Sequence, residues 1–303
     1  MAIFFQQLVN GLSIGSVYAL IALGYTMVYG VLKLINFAHS EVFMIGGFAS
    51  YYAAFALGFE PAHPERFGIL KAFLVLLAAM AACAALGLTI ERLAYRPLRG
   101  ARRLAPLITA IGVSILLQNL GILLFGANPK SFPMIVAEQR YELGGVVFTN
   151  IKLLIFAVSG VLMLLLHYLV QKTWTGKAMR AVSVNPAAAQ LMGISVNRVI
   201  AFTFVVGSAL AASGGILFGL DQSKIEPLMG VLIGLKAFIA AVVGGIGNIM
   251  GAAVGGLLIG VAEQLTAGYV SADYRDAITF AILIAVLLVR PEGLFGSAKV
   301  EKV

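Results

Sequence analysis

The chain is predicted to be all-α: a polytopic α-helical membrane protein of about eight to nine transmembrane spans, with its C-terminus in the cytoplasm. Three observations predict this. Of its 303 residues, 61% are hydrophobic and 11% charged, with a mean hydropathy of +0.99, whereas soluble domains carry about 25% charge. The apolar residues fall in runs of about 20 with almost no charge inside them. Those runs lack the strict alternation of a membrane barrel. In a bilayer, where no water satisfies backbone groups, helices are the remaining choice.

The candidate spans are 4–30, 36–57, 68–90, 105–126, 151–170, 199–220, 228–243, 249–266 and 275–290. The first contains no charge, and the first Lys or Arg of the chain is Lys33. With no basic stretch ahead of it, this start is expected to be a mature span and not a signal peptide. In the second, the apolar part Val42–Leu57 covers only about 24 Å at 1.5 Å per residue, short of the roughly 30 Å hydrocarbon core. The helix must therefore begin near Asn36, a plausible N-cap, or be a re-entrant half-helix. Either way His39 and Glu41 fall in its first turns, as a capped interfacial start or as a polar hinge or gate. The third span holds Lys71 near its end and the lone Cys83, which is expected to be packing filler with no disulfide partner. The fourth and sixth are free of charge. The fifth carries Lys152 at its edge, where Lys71 and Lys152 alike are expected to snorkel. The seventh and eighth each place one ionisable group inside an apolar run, Lys236 and Glu263. Such groups cost several kcal/mol unless paired or wet, so Glu41, Lys236 and Glu263 are candidates for a path through the membrane. Lys236 has snorkelling as its alternative, and Glu263 a capped, interface-facing position.

Loop charge sets the orientation. Arg92, Arg96, Arg99, Arg102 and Arg103 lie between the third and fourth spans with no acid among them. Lys172, Lys177, Arg180 and Arg198 do the same between the fifth and sixth. The other loops are mixed or acidic: Glu60, Glu65 and Arg66; Lys130, Glu138, Arg140 and Glu142; Asp221, Lys224 and Glu226; Asp273, Arg275 and Asp276. The positive-inside rule places the two basic loops in the cytoplasm, and the tail with Arg290, Lys299 and Lys302 follows. Nine full spans put the N-terminus outside; eight, with one re-entrant piece, put it inside. The absence of basic residues before Lys33 favours outside. The net charge of +8 sits in these loops and not on one face of a soluble fold, which excludes nucleic acid as a partner.

Glycine, 34 residues in all, recurs at four-residue steps: Gly11 and Gly15, Gly215 and Gly219, Gly247, Gly251 and Gly255, Gly256 and Gly260. Small residues at this spacing let membrane helices approach closely, within one chain or between subunits.

Enzyme chemistry is missing from the pattern. "TWTGKAM" has Gly176 and Lys177, but Gln171 and Ala178 stand where a phosphate loop needs Gly and Ser or Thr. "GGIGNIMG" misses the dinucleotide spacing and its strand–helix setting. His39, His63 and His167 are too scattered to ligate a metal. The chain is expected to bind no cofactor and to have no ATP site.

One loop has a compact local code. In "TWTGKAMRAVSVNPAAAQLMGISVNR", residues 176–182 form one short helix. A second is bounded by Asn185 as N-cap, Pro186 as first helical residue and Gly193 in the left-handed position after the end. Between them "AAAQLM" favours helix strongly. This is either an ordinary amphipathic loop or a docking element for a partner.

The stretch "GKAMRAVSVNPAAAQLMGIS" resembles the cytoplasmic loop of the branched-chain amino-acid ABC importer permeases, the H-type (Liv-type) membrane subunits. "NGLSIGSVYALIALGYTMVYGVLKLINFAHSEVFMIGGF" resembles that family's start, "AVVGGIGNIMGAAVGGLLIGVAE" its glycine-rich late segment and "YRDAITFAILIAVLLVRPEGLFG" its C-terminal signature. Together these cover well over half the chain, in order. Ser40 departs from the pattern, standing where Gly is expected after the His. The resemblance implies a multi-pass inner-membrane subunit, residues 1–303 forming one transmembrane permease domain with a coupling loop at about 172–198. It implies a second homologous permease, two cytoplasmic ATPase subunits that use ATP and Mg, and an extracytoplasmic amino-acid-binding protein. It makes Asn185, Pro186, Ala187, Ala188, Leu191 and Gly193 the coupling helix that contacts the ATPases. Asn36, His39, Glu41, Lys236 and Glu263 remain candidates for a path or gate, and Gly247, Gly251 and Gly255 for helix packing. Urea or short-chain amides are the alternative substrates within the family. A passive channel or an ion-coupled secondary transporter for small neutral solutes is the alternative outside it.

Overall fold

The computed structural model describes residues 1–296 apart from 62, 65, 66 and 103. Of the loop charges used for orientation, Glu65, Arg66, Arg103, Lys299 and Lys302 lie outside the described residues.

In chain order the helices are α1 (Ala2–Leu32), α2 (His39–Ala56), α3 (Ile69–Ile90), α4 (Leu104–Phe125), α5 (Asn150–Lys172), α6 (Trp174–Val184), α7 (Pro186–Leu191), α8 (Val196–Gln222), α9 (Met229–Gly244), α10 (Ile249–Tyr269) and α11 (Arg275–Val289). A π-helical turn, Glu91–Tyr95, and a 3₁₀ turn, Arg96–Leu98, prolong α3. Strands β1 (Lys130–Ser131), β2 (Arg140–Leu143), β3 (Val146–Thr149) and β4 (Lys224–Ile225) are short. β1 pairs antiparallel with β4, and β2 with β3. The β2–β3 hairpin closes through Gly144 and Gly145, both at positive φ (60° and 78°), as a two-residue turn with right-handed strand twist requires.

Each of the nine apolar segments forms a helix. Six are long and apolar enough to cross a membrane: α1, α3, α4, α5, α8 and α10. The other three, α2, α9 and α11, have 18, 16 and 15 residues, or about 27, 24 and 22 Å. α1 runs from one end of the bundle to the other. Near the start of α1, Gln6 exchanges two 2.8 Å hydrogen bonds with the Val147 backbone in β3. The far end of α1, at Thr26, Met27 and Gly30, meets Met179 and Arg180 of α6 around a cavity of about 90 Å³. Gly247 and Ile249 line the same cavity, and Asn248 Nδ2 donates to Phe295 O at 2.9 Å. The start of α1 and the end of the described chain therefore lie at opposite ends of the bundle.

α1 is buried almost continuously from Gly11 to Val28, with α10, α8, α9 and α5 around it. α2 packs against α8, α3, α9 and α4. The outer wall is apolar: Leu70 and Phe73 of α3, Leu116 and Leu123 of α4, and Leu164 and Leu288 of α5 and α11 are all exposed. That is the surface a lipid solvent demands of a bundle with no other cover.

Glycines set the closest contacts. A Cβ on Gly11 would lie 2.6 Å from Val261 Cα, one on Gly256 2.5 Å from Ala19 Cα, and one on Gly260 would overlap Gly15. Gly256 and Gly260 thus seat α10 on α1. Gly251 and Gly255, about 100° round the same helix, face Gly244 and Ala240 of α9. Gly247 does not belong to this ladder. It lies in the turn between α9 and α10 at φ 99° with no neighbour within 4 Å of its would-be Cβ. Its glycine answers a backbone angle and not a packing contact. Gly260→Val is expected to cost at least about 3 kcal/mol by overpacking. Gly112→Ala, on an open face of α4 with nothing within 4 Å, is expected to be neutral or slightly stabilising. Thermal unfolding in detergent compares the two.

Candidate functional site

The entry to α2 is the least regular backbone inside the bundle. α1 ends at Lys33 in the left-handed conformation, φ 56°, and residues 33–38 contain no helix. Non-helical chain is tolerated at membrane depth only where protein buries it or it lines a cavity, and here Asn36 and Ala38 are buried. Asn36 is not the N-cap. The cap position is Ala38, with no side-chain cap bond. Asn36 Oδ1 instead accepts from Tyr95 OH at 2.8 Å, and its backbone O accepts from His39 N at 3.1 Å. The competition for that side chain comes from the π-helical turn after α3, which no local rule anticipates.

The interfacial reading of His39 and Glu41 is also overturned. His39 is 1% exposed, its ring edge-on to Tyr25 at 4.9 Å and held by the Ile21 backbone. A Cβ on Gly24 would collide with that ring, and Nε2 has no partner. Glu41 is fully buried. Oε1 accepts from Gln118 Nε2 (3.0 Å), Ser40 Oγ (3.2 Å) and Ser114 Oγ (3.3 Å); Oε2 has no partner. Ser114 is ten residues into α4, about 15 Å from its start, so α2 begins deep inside the bundle. Among the described residues no cation meets Glu41. Its place in the first turn of α2, beside the first turn of α9 at Gly230, offers helix-dipole stabilisation instead. Ser40, the departure from the family pattern, shares its one hydroxyl proton between Phe37 O (2.9 Å) and Glu41 Oε1 (3.2 Å) and fills the space over Gly230 and Gly234.

The second buried acid is different. Glu263 Oε1 is 3.0 Å from Lys236 Nζ and accepts from Thr279 Oγ1 at 2.6 Å; Oε2 accepts from Tyr18 OH at 2.9 Å. Lys236 also reaches Asp276 at 2.7 Å. Lys236 is thus paired with one buried acid, Glu263, and one half-exposed acid, Asp276, in the first turn of α11. The group ties α1, α9, α10 and α11 together, and both oxygens of Glu263 have partners.

At the other end, α6 and α7 carry the local code intact. Thr173 caps α6 by accepting from Gly176 N at 3.2 Å, and Asn185 caps α7 by accepting from Ala188 N at 3.0 Å. Pro186 opens α7, and Gly193 follows it at φ 83°. Ile194 N returns to Ala189 O at 3.0 Å. α6 is seated by buried Met179 and Val182 and by Arg180, which donates to Val170 O. α7 stands clear: Ala187 and Ala188 are exposed, and Leu191 and Met192 are 89% and 82% exposed. Just beyond, Asn197 at the start of α8 bonds Arg99, which also pairs with buried Glu91. Glu91 opens the turn whose Tyr95 reaches Asn36. Polar contacts thus link the start of α8 to Glu91, and Tyr95, four residues on in the same turn, contacts the entry of α2.

Sequence reasoning singled out Glu41 and missed its donors. Ser114 and Gln118, four residues apart on one face of an otherwise apolar helix, were the available signal. Tyr18, Asp276 and Thr279 carried none, since each sits among ordinary span residues or at a span end. Among the described residues no cluster of His, Cys, Asp or Glu has the makings of a metal site.

Comparison with known proteins agrees with this architecture. Residues 7–287 match the family described as "Branched-chain amino acid transport system / permease component". The chain is 46% identical to the high-affinity branched-chain amino acid transport system permease protein BraD of Pseudomonas aeruginosa, over 99% of this chain and 98% of that protein. It is 44% identical to the corresponding permease protein LivH of Escherichia coli K12 over the same shares. A probable branched-chain amino acid transport permease of Methanocaldococcus jannaschii is 32% identical over 91% of this chain and 88% of its own length. With an apolar helical bundle and a match over nearly its full length to these proteins, the chain belongs to the family of branched-chain amino acid transport permeases.

Proposed function

We propose that this chain is the inner-membrane permease subunit of an ATP-driven importer of branched-chain amino acids. It works with a second, homologous permease, two cytoplasmic ATPase subunits that bind ATP and Mg, and an extracytoplasmic amino-acid-binding protein. The observation that carries the reading is similarity over essentially the full length to permeases whose names specify branched-chain amino acids. Matches to ribose and fructose import permeases cover only 48% and 41% of the chain.

The geometry supports a division of labour. α7 is short, rigidly capped and exposed, with apolar Leu191 and Met192 at its tip; it is the element offered to the ATPases, with Asn185, Pro186 and Gly193 fixing its shape and Ala187, Ala188 and Leu191 its surface. Motion at α7 reaches the membrane through α6, which seats on α1, α5 and α8, and through Asn197, Arg99, Glu91 and Tyr95. The recipient is the α2 entry, with Asn36, His39 and Glu41. Rocking of helices about a mid-membrane site then exposes it to each side in turn. Lys236 and Glu263 hold α9, α10 and α11 on α1 as one body.

The substrate claim is tested by reconstituting the complex in vesicles with its binding protein. Uptake of radiolabelled leucine should be competed by isoleucine and valine, and not by urea, acetamide or ribose. Competition by urea or acetamide instead would replace the substrate assignment with the amide one.

A further inference from the structure

We infer that Glu41 is the mid-membrane acceptor for the ammonium group of a zwitterionic substrate, with Oε2 as the contacting atom; this rests on the importer reading above. Four observations converge. An ionised carboxylate buried without a counter-ion costs several kcal/mol, yet Glu41 has only neutral donors. All three of those donors meet Oε1, so one oxygen is held in place while Oε2 stays unpaired. The surface facing Oε2 is Gly230, with Gly234 one turn on. With no side chain at Gly230, nothing from that position of α9 covers Oε2, while the neighbouring Met229 reaches Gly47 of α2. Finally, the chain leading into α2 is irregular at depth, the form that broken membrane helices take where they build substrate sites near the midplane.

The contrast with Glu263 sharpens the assignment. That carboxylate is paired with Lys236 and bonded at both oxygens, so a substrate ammonium would have to compete with a resident cation. A substrate ammonium at Glu41 would form charge-assisted hydrogen bonds with Oε2, and would supply the missing positive charge only while substrate is present. In the conformation described here the site is closed, since Glu41 has no exposed surface. Substrate reaches it when the α2–α9 seam opens during the cycle. The competing occupant is a proton, which would leave Glu41 neutral and purely structural.

Uptake kinetics of radiolabelled leucine by the complete reconstituted complex decide the matter. Glu41→Gln keeps the size of the side chain and an acceptor for Gln118, but loses the charge. It is expected to raise KM at least about tenfold, with assembly retained on size-exclusion chromatography. Glu41→Asp keeps the charge but withdraws it, and is expected to raise KM to an intermediate value. Wild-type KM in Glu41→Gln overturns the inference and leaves the structural role. If Glu41→Gln does not assemble, Glu41→Asp decides alone: a raised KM supports the site, and an unchanged KM overturns it. Failure of the wild-type complex to take up leucine at all overturns the importer reading itself.

Discussion

Ala187→Arg combined with Leu191→Glu is expected to leave the protein folded in the membrane and to abolish uptake. Both positions are exposed on α7, and exposed substitutions change stability by roughly 0.5 kcal/mol or less. Arg and Glu are also good helix formers, so α7 persists between its Asn185 cap and Gly193. What changes is the surface. An alanine presents almost nothing to a partner and lets a groove close around the helix; an arginine there must be accommodated or excluded. If α7 docks into the ATPases as proposed, Leu191 is its apolar anchor, and loss of a central anchor costs about 2 kcal/mol or more, an affinity loss of about thirtyfold. Co-purification of the ATPase subunits, with leucine uptake in parallel, gives the readout. Normal association and uptake would remove α7 from the coupling role.

Lys236→Met carries the largest expected effect on stability. It removes the positive charge from Glu263 while leaving that carboxylate buried against Tyr18 and Thr279. Breaking one side of a buried pair costs about 3–5 kcal/mol, because the remaining charge is uncompensated. Asp276, whose side chain is half exposed, keeps its hydration and contributes little to the loss. The double variant Lys236→Met with Glu263→Gln removes both charges and keeps acceptors for Tyr18 and Thr279. It is expected to recover most of the stability, since replacing a whole buried pair is often close to neutral. Thermal unfolding of the solubilised protein measures both. A single variant as stable as wild type would mean that Glu263 is neutral without Lys236, and the four-helix tie would fail.

The parts of the architecture governed by short-range rules were legible in the sequence. Charge-free runs of about twenty residues marked the helices, because the bilayer leaves one solution for a buried backbone. Asn185, Pro186 and Gly193 marked α7 to the residue, because capping is decided within a turn. The basic loops marked one end of the bundle. Depth was not legible. "INFAHSEVF" offers Asn36 as a cap, and only the distant Tyr95 takes that side chain away and lets α2 begin at His39. Nor was partnership. Lys236, Glu263 and Asp276 are 13 or more residues apart in sequence and come from three helices, so a snorkelling lysine and a buried ion pair look identical in one dimension. Gly247 shows the same limit on a smaller scale: its four-residue spacing to Gly251 fits a ladder, but Asn248 caps α10 after it and leaves it in the turn.

The most direct test of the account is the energy source for leucine uptake. The complete complex, reconstituted with its binding protein on the outer face, should accumulate radiolabelled leucine against a gradient when ATP and Mg are enclosed in the vesicles. Accumulation should continue when an uncoupler collapses the ion gradients. Uptake that persists without ATP and only equilibrates would show a channel. Uptake that stops with the uncoupler while ATP is present would show an ion-coupled transporter. Either result would contradict an ATP-driven permease.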